Sequence, residues 1–523
     1  MLQTERRRRL AGSAIIMMAA YVASRLTGLL RDIAISYRFG TGRELDAYLA
    51  AVRVPDIVFQ VVAGAAVASA FIPVYTSYLT RREEEEGANM LNILFTISFL
   101  VLVPMIALAF IFAPRIMPII VPDFPPEYQA LAARLARVVL LAPLFFTLGC
   151  FTTSVLNAHG KFFLAALAPT SYNLGIIFGA VVFSRWLGIY GLAAGALLGS
   201  AFYLVVQLPG LRQIGFVFQP HLDLSHRGVR AVGRLMGPRA IGLAVTQANF
   251  IVALYLASGI PGGVAALNYA WLLTMLPLGI FAMAISTAVF PSLAEHGAVH
   301  NHEELQRTLL EALRFILFLT IPASLGLIVL SFPIVRLVFQ RGEFTSVSTT
   351  MTADALHFYA AGLLGMATVE IITRAFYALH DTFTPVKVAT LGMAVNLTLG
   401  ILLVRTMGES GLALATAVAS TGEAVLLFAI CRQRVEGVSF RALVAAAWRS
   451  IVAALVMGAC LGLFSVLGQP LSRSLAGAPF VVAAIALGGV VYLLTTVILG
   501  AQEVGQLQRL ASRLAGRIPR FAG

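Results

Sequence analysis

Charge is scarce in this sequence. Asp, Glu, Lys and Arg make up 12% of the chain, where a soluble domain of ordinary composition carries about a quarter. The deficit extends over the whole length, which excludes a soluble globular fold and leaves no room for a separate soluble domain of any size. Cysteine is also nearly missing. Cys150, Cys431 and Cys460 each sit inside an apolar run, with no CxxC or Cys/His spacing, so neither a disulfide framework nor a zinc site organises the fold. Catalytic signatures are lacking as well: there is no metal-ligand cluster, no GxSxG, no Walker loop before a helix and no long loop with paired carboxylates. The chain therefore reads as no enzyme. Any uphill movement it drives draws on an ion gradient or the membrane potential, not on ATP.

What is present is apolar length. Hydrophobic residues are 59% of the 523 and the mean hydropathy is +0.88, so the chain needs a bilayer as solvent. At about 20 residues per span, the sequence predicts an all-α integral membrane protein of about 14 transmembrane helices. They fall near 13–36, 51–78, 89–113, 129–157, 162–184, 188–212, 231–258, 266–294, 308–331, 351–378, 386–405, 410–431, 447–468 and 478–500. The formal charge of +13 comes from arginines at the ends of these runs, a topogenic pattern and not a nucleic-acid footprint. Arg6 to Arg9 look like the start of a signal peptide, but the apolar stretch that follows is long and contains Arg25. It is read as a retained first helix. An even number of spans places both termini on one side, and the basic tails, with Arg509, Arg513, Arg517 and Arg520, make that side cytoplasmic.

A weak internal repeat underlies the pattern. Ser69 to Pro73 matches Thr287 to Pro291, Ala113-Pro114 matches Phe332-Pro333, and Ala158 to Phe162 matches Leu379 to Phe383, at offsets of 218, 219 and 221. The offset spans an even number of helices, so the two copies enter the membrane in the same direction, as parallel repeats flanking a central cavity. The expected organisation is an N-lobe over 1–220, a C-lobe over 221–440, and an added C-terminal helix pair with a basic tail over 441–523.

Ionisable residues at membrane depth are expensive, roughly 2.5–3.5 kcal/mol each on insertion scales, and so are functional candidates. The first two predicted helices hold most of them: Arg25, Arg31 and Asp32, then Asp46, Arg53 and Asp56. On an ideal helix Arg25 and Asp32 share a face while Arg31 is turned about 120° away. A guanidinium fork suits phosphate or pyrophosphate, so a cavity lined by Arg25, Arg31 and Arg53 selects an anionic head group. The bland alternative pairs Arg31 with Asp32 or Asp46, and Arg53 with Asp56, to neutralise a helix junction. Glu370 and Arg374, spaced i, i+4, form a clasp or a secondary substrate contact. Arg234 and Arg239 flank Pro238, and snorkelling is the plainer reading for both. His159 and His380 are turn residues at corresponding repeat positions.

The segment Ser24-Arg25-Leu26-Thr27-Gly28-Leu29-Leu30-Arg31-Asp32, with Phe39-Gly40, Asp46-Ala47, Pro55 and Ala70-Phe71-Ile72-Pro73, resembles the N-terminal signature of the MurJ (MviN) lipid II flippase family. Leu156-Asn157, Gly160-Lys161-Phe162, Leu276 to Phe281, Phe290-Pro291, Arg374 to Ala378, Asp381-Thr382 and Thr384 to Lys387 follow in register. The resemblance covers essentially the whole chain. It implies the fold of the multidrug/oligosaccharidyl-lipid/polysaccharide exporter superfamily, with two six-helix lobes, two extra C-terminal helices and a cationic cavity. The implied activity is alternating-access transfer of undecaprenyl-diphosphate-linked peptidoglycan precursor to the outer leaflet of the bacterial inner membrane, in the service of cell-wall synthesis and cell shape. Arg25, Arg31, Asp32 and Asp46 match the family's important positions. Phe59 and Gln60, Leu272 and Ala253 stand where the family usually has two arginines and a sodium-associated acid, while Asn396 and Thr416 remain as neutral ligands of a weak sodium site. The expected partners are a lipid-linked anionic substrate, membrane lipids and cell-wall synthesis proteins, with no nucleic acid and no cofactor beyond the coupling ion. Two other readings stay open: an exporter of another polyprenyl-linked glycan or an amphipathic drug, and a non-transporting membrane scaffold.

Overall fold

A computed structural model describes residues 2–64, 70–299, 301–435, 437, 440–467, 478–501 and 503–505, and every regular element among them is helical. Ser69, His300 and the tail arginines lie outside the described residues, as do the side chains of Arg6 to Arg9 and Arg239. Helix covers each expected span where the chain is described. By length and apolarity nine helical stretches qualify as membrane-crossing among the described residues, or ten if one pair bent by 45° counts as a single span.

The helices run from α1 (Leu2–Phe39) and α2 (Arg43–Phe59) through α3 (Ile72–Thr80), α4 (Glu84–Ile120), α5 (Pro126–Val139) and α6 (Ala142–Ala158). They continue with α7 (Phe162–Phe178), α8 (Ser184–Leu187), α9 (Ile189–Val205), α10 (Leu208–Gln213) and α11 (Arg227–Ala257). Then come α12 (Gly263–Pro277), α13 (Ala284–Ala298), α14 (His302–Phe339), the bent pair α15 (Ser346–Ala361) and α16 (Leu363–Ala378), α17 (Phe383–Arg434), α18 (Phe440–Leu467) and α19 (Ala478–Ile498). At 1.5 Å per residue, the 52 residues of α17 would be about 78 Å long, more than twice a hydrocarbon core. Gly408, at φ 59° and ψ −135°, breaks it into two segments.

That break has a twin. Gly188, between α8 and α9, sits at φ 55° and ψ −134°, a conformation open to glycine and closed to residues with a Cβ. π-Helical turns at Gln60–Gly64 and Leu278–Met283 recur at a similar separation, as do left-handed residues at Gly160 and His380. Backbone irregularities repeated about 220 residues apart are what a duplicated helical unit leaves behind, because each encodes a bend that packing requires.

Contacts divide the chain into two compact units. The first comprises Met1–Ala265 with Arg341–Thr345, the second Ala266–Gln340 with Ser346–Gly523. In the first, α1 packs on α7, α7 on α9, α2 on α5, and α11 lies against α2, α3 and α4. The packing of α7 and the turn that follows it on α9 depends on backbone proximity: a Cβ at Gly195 would fall 2.5 Å from Gly179 Cα and 2.9 Å from the Gly175 carbonyl oxygen. Small residues give helices close dispersion contact where lipid offers no hydrophobic drive. In the second unit α14 packs on α15, α16 and α18, and α16 and α15 pack on α17. The terminal pair α18–α19 docks on α14 through Phe318, Met457, Leu461 and Tyr492, whose hydroxyl donates to the Phe318 carbonyl at 2.6 Å.

Candidate functional site

Along α1 the exposed residues Val22, Arg25, Leu26 and Leu30 share one side, while Asp32 and Ile35 are buried. Arg31 is turned inward toward α7. Its Nε and one terminal nitrogen donate to the two oxygens of Asp32, both at 3.0 Å, and the other terminal nitrogen donates to Asn173 Oδ1 at 3.1 Å. Asn173 Nδ2 in turn donates to the Ser24 carbonyl and Thr27 Oγ1. Three charge-assisted or polar bonds hold the guanidinium, so Arg31 and Asp32 form a fixed clasp between α1 and α7.

Asp46 is fully enclosed. Its carboxylate accepts from the backbone N–H of Gly262 at 2.7 Å and of Ala265 at 2.9 Å, the orphan donors at the start of α12. Arg43, a turn earlier on α2, donates to the Ser258 carbonyl at 2.8 Å and lies over the Phe124 ring. The acid therefore acts as a cap on a helix start.

One turn and three residues further along α2, the wall opens into a cavity of about 370 Å³ inside the first unit. Its polar lining is Arg53, Asp56, Gln60, Tyr172 and Gln247, and Phe59, Phe146 and Phe250 supply aromatic faces. Tyr172 is held edge-on by Phe146 at a 4.8 Å centroid distance. Arg53 lies over the Phe250 ring at 4.9 Å, and its nearest carboxylate oxygen, on Asp56, is 3.6 Å away. That is ionic contact without a hydrogen bond. Both side chains keep part of their surface open, 30% for Arg53 and 45% for Asp56. Arg53 is held by a ring and loosely met by one acid, in contrast to Arg31 with its three hydrogen bonds.

The family profile described as "Lipid II flippase MurJ" matches residues 35–476. The chain belongs to the MurJ family. It is similar to "Probable lipid II flippase MurJ" of Bdellovibrio bacteriovorus, 29% identical over 514 residues that cover 97% of this chain and 98% of that one. Among solved structures it resembles "Lipid II flippase MurJ, inward closed conformation", with 28% identity, a TM-score of 0.77 and coverage of 93% of this chain and 98% of the other. An inward-facing MATE transporter of the MOP superfamily shares the fold at 17% identity and a TM-score of 0.65, over 81% of this chain and 98% of its own. Phe59 and Gln60 both line the cavity.

The remaining candidates lie in the second unit. Arg374 donates to Glu370 Oε1 at 3.1 Å and to Ser286 Oγ at 2.9 Å, and Ser286 donates to the same Glu370 oxygen, closing a triangle between α13 and α16. Thr416 Oγ1 reaches Asn396 Oδ1 at 3.4 Å and the Leu412 carbonyl at 3.0 Å. No cluster of three or more His, Cys, Asp or Glu fit to hold a metal is found among the described residues. Tyr172, Gln247 and Phe250 escaped the sequence reading, since nothing in their local spacing ties them to α2. Asn173 carries a faint signal as an amide in an apolar helix.

Proposed function

We propose that this MurJ-family chain is a lipid II flippase of the bacterial inner membrane, carrying the undecaprenyl-diphosphate-linked peptidoglycan precursor to the outer leaflet by alternating access, with both termini cytoplasmic. The observation that carries the proposal is Arg53 on the wall of an aromatic and polar cavity, a cation able to grip phosphate. Arg53 and the exposed Arg25 make the direct contacts with the diphosphate. Arg31 with Asp32, and Asp46, hold the helices that present them. Two lobes over 1–220 and 221–440 exchange their opening while the pair within 441–523 guides the isoprenoid tail. Coupling draws on a sodium gradient, with Asn396 and Thr416 among the ligands, or on the membrane potential. Cell-wall synthesis proteins are the expected partners.

Phe59 and Gln60 in the cavity wall favour one second reading, an exporter of a polyprenyl-linked glycan with fewer negative charges. Complementation in flippase-depleted cells tests the main proposal: Arg53→Ala and Arg25→Ala, present at wild-type level, are expected to fail to restore growth. Full rescue by both removes these residues from the mechanism. Lipid II translocation in proteoliposomes, with and without a sodium gradient and against an undecaprenyl-phosphate-linked sugar, separates the cargo readings.

A further inference from the structure

The cavity contains its own anion. Asp56 lies three residues after Arg53 on α2, on the same face of the helix, and both line the cavity with Gln60, Tyr172 and Gln247. Its carboxylate meets the Arg53 guanidinium at 3.6 Å. The two buried acids described in the first unit are met more closely: Asp32 takes two bonds at 3.0 Å from Arg31, and Asp46 takes two backbone N–H groups. Among the described residues the Asp56 carboxylate accepts no hydrogen bond and Arg53 donates none, leaning instead on Phe250. A pair made to brace α2 would close to hydrogen-bond distance, as Arg31 and Asp32 do. This one is in contact and displaceable.

We propose that Asp56 is a resident counter-ion that occupies Arg53 when the cavity is empty and gives it up to the substrate's phosphate. The inference rests on the reading of Arg53 as a phosphate ligand. A bare guanidinium is costly to enclose in a low-dielectric space, so a carrier whose only anion is its cargo must stay open, or exchange cargo for cargo, before it can reset. An internal carboxylate neutralises the cation during the unloaded return and lets the carrier cycle in one direction. It also competes with cargo, which holds affinity down and keeps the product releasable.

Two readouts on the full-length protein test this. Binding of inorganic pyrophosphate to purified protein is expected to tighten about tenfold, near 1.4 kcal/mol, in Asp56→Asn and Asp56→Ser, and to return toward wild type in Asp56→Glu. In proteoliposomes, net translocation of undecaprenyl diphosphate is expected to slow in Asp56→Asn while lipid-for-lipid exchange continues, a split that a merely structural role would not produce. Unchanged or weaker pyrophosphate binding in whichever of the two neutral variants folds, with Arg53→Gln abolishing it, overturns the counter-ion and leaves the phosphate site standing. Equal binding by wild type and Arg53→Gln overturns the phosphate reading beneath it.

Discussion

Arg31 and Asp32 offer the sharpest separation between bracing and binding, because a double-mutant cycle reads their coupling directly. Two of the three hydrogen bonds of Arg31 go to Asp32, at 3.0 Å each, and the third goes to Asn173 at 3.1 Å. Asp32→Asn leaves a guanidinium in the α1–α7 contact with its charge unmatched. Breaking a fully buried pair in this way costs about 3–5 kcal/mol. The Arg31 side chain is 27% exposed and Asp32 9%, so partial access to water brings the expectation to about 2 kcal/mol. Arg31→Gln leaves the carboxylate in the same position and carries a similar penalty. The double variant replaces both charges with amides able to bond each other, and its loss is expected to fall short of the sum of the singles by about 2 kcal/mol. Thermal unfolding in detergent, followed by tryptophan fluorescence or size-exclusion recovery, reads this as a midpoint drop on the order of 2 °C for each single variant, with a much smaller further drop in the double. Strict additivity would refute the clasp and return Arg31 to the candidates for direct substrate contact.

Gly195→Ala places a Cβ 2.5 Å from Gly179 Cα, well inside ordinary carbon contact, so α7 and α9 must part; a loss of about 2 kcal/mol is expected, and unchanged thermal stability would sink the close-packing account. Asp46→Ala strips the acceptor from two enclosed N–H groups and is expected to lower stability by about 1–2 kcal/mol, read as a fall in membrane protein level with growth complementation tracking that level. Burial draws the Asp381 carboxyl upward, but bonds from the Thr384 and Phe383 backbone, the Thr384 hydroxyl and the Arg434 charge outweigh it and hold its pKa below the usual range. Its stabilisation is therefore present above the unfolded value near 4 and lost as pH falls through the folded one; thermal midpoints measured below about pH 5 should fall less steeply for Asp381→Asn than for wild type. Tyr492→Phe removes a 2.6 Å bond to the Phe318 carbonyl and is expected to loosen α19 from α14 by about 1 kcal/mol, seen as earlier proteolysis of the C-terminal pair.

Much of the fold was legible because the bilayer makes it so. Run length reports spans, and the repeat near 220 residues reappears as paired bends at Gly188 and Gly408. The candidate site was legible only in part. The spacing of Arg53 and Asp56 on one helical face announced their pairing, and the i, i+4 spacing of Glu370 and Arg374 announced theirs, although Ser286 as the bridge between them came from another helix. Ideal helical geometry placed Arg25 and Asp32 on one face; in the fold Arg25 is exposed and Asp32 buried, because contact with α7 through Asn173 decides which part of α1 is covered.

The sequence by itself determined the class of solvent, the helical architecture, the duplication and the family, since each is a statement about composition or order along one chain. Tertiary structure alone decided which charges are spent and which stay available. Arg31, Asp46 and Arg53 look alike as ionisable residues near helix junctions, yet one is clasped to Asn173, one caps the start of α12, and one rests on Phe250 inside a cavity. The partners that sort them lie 142, 216 and 219 residues away for the first two and on a separate helix, α11, for the third. A charge in low dielectric is defined by what meets it in space, and no spacing along the chain records that.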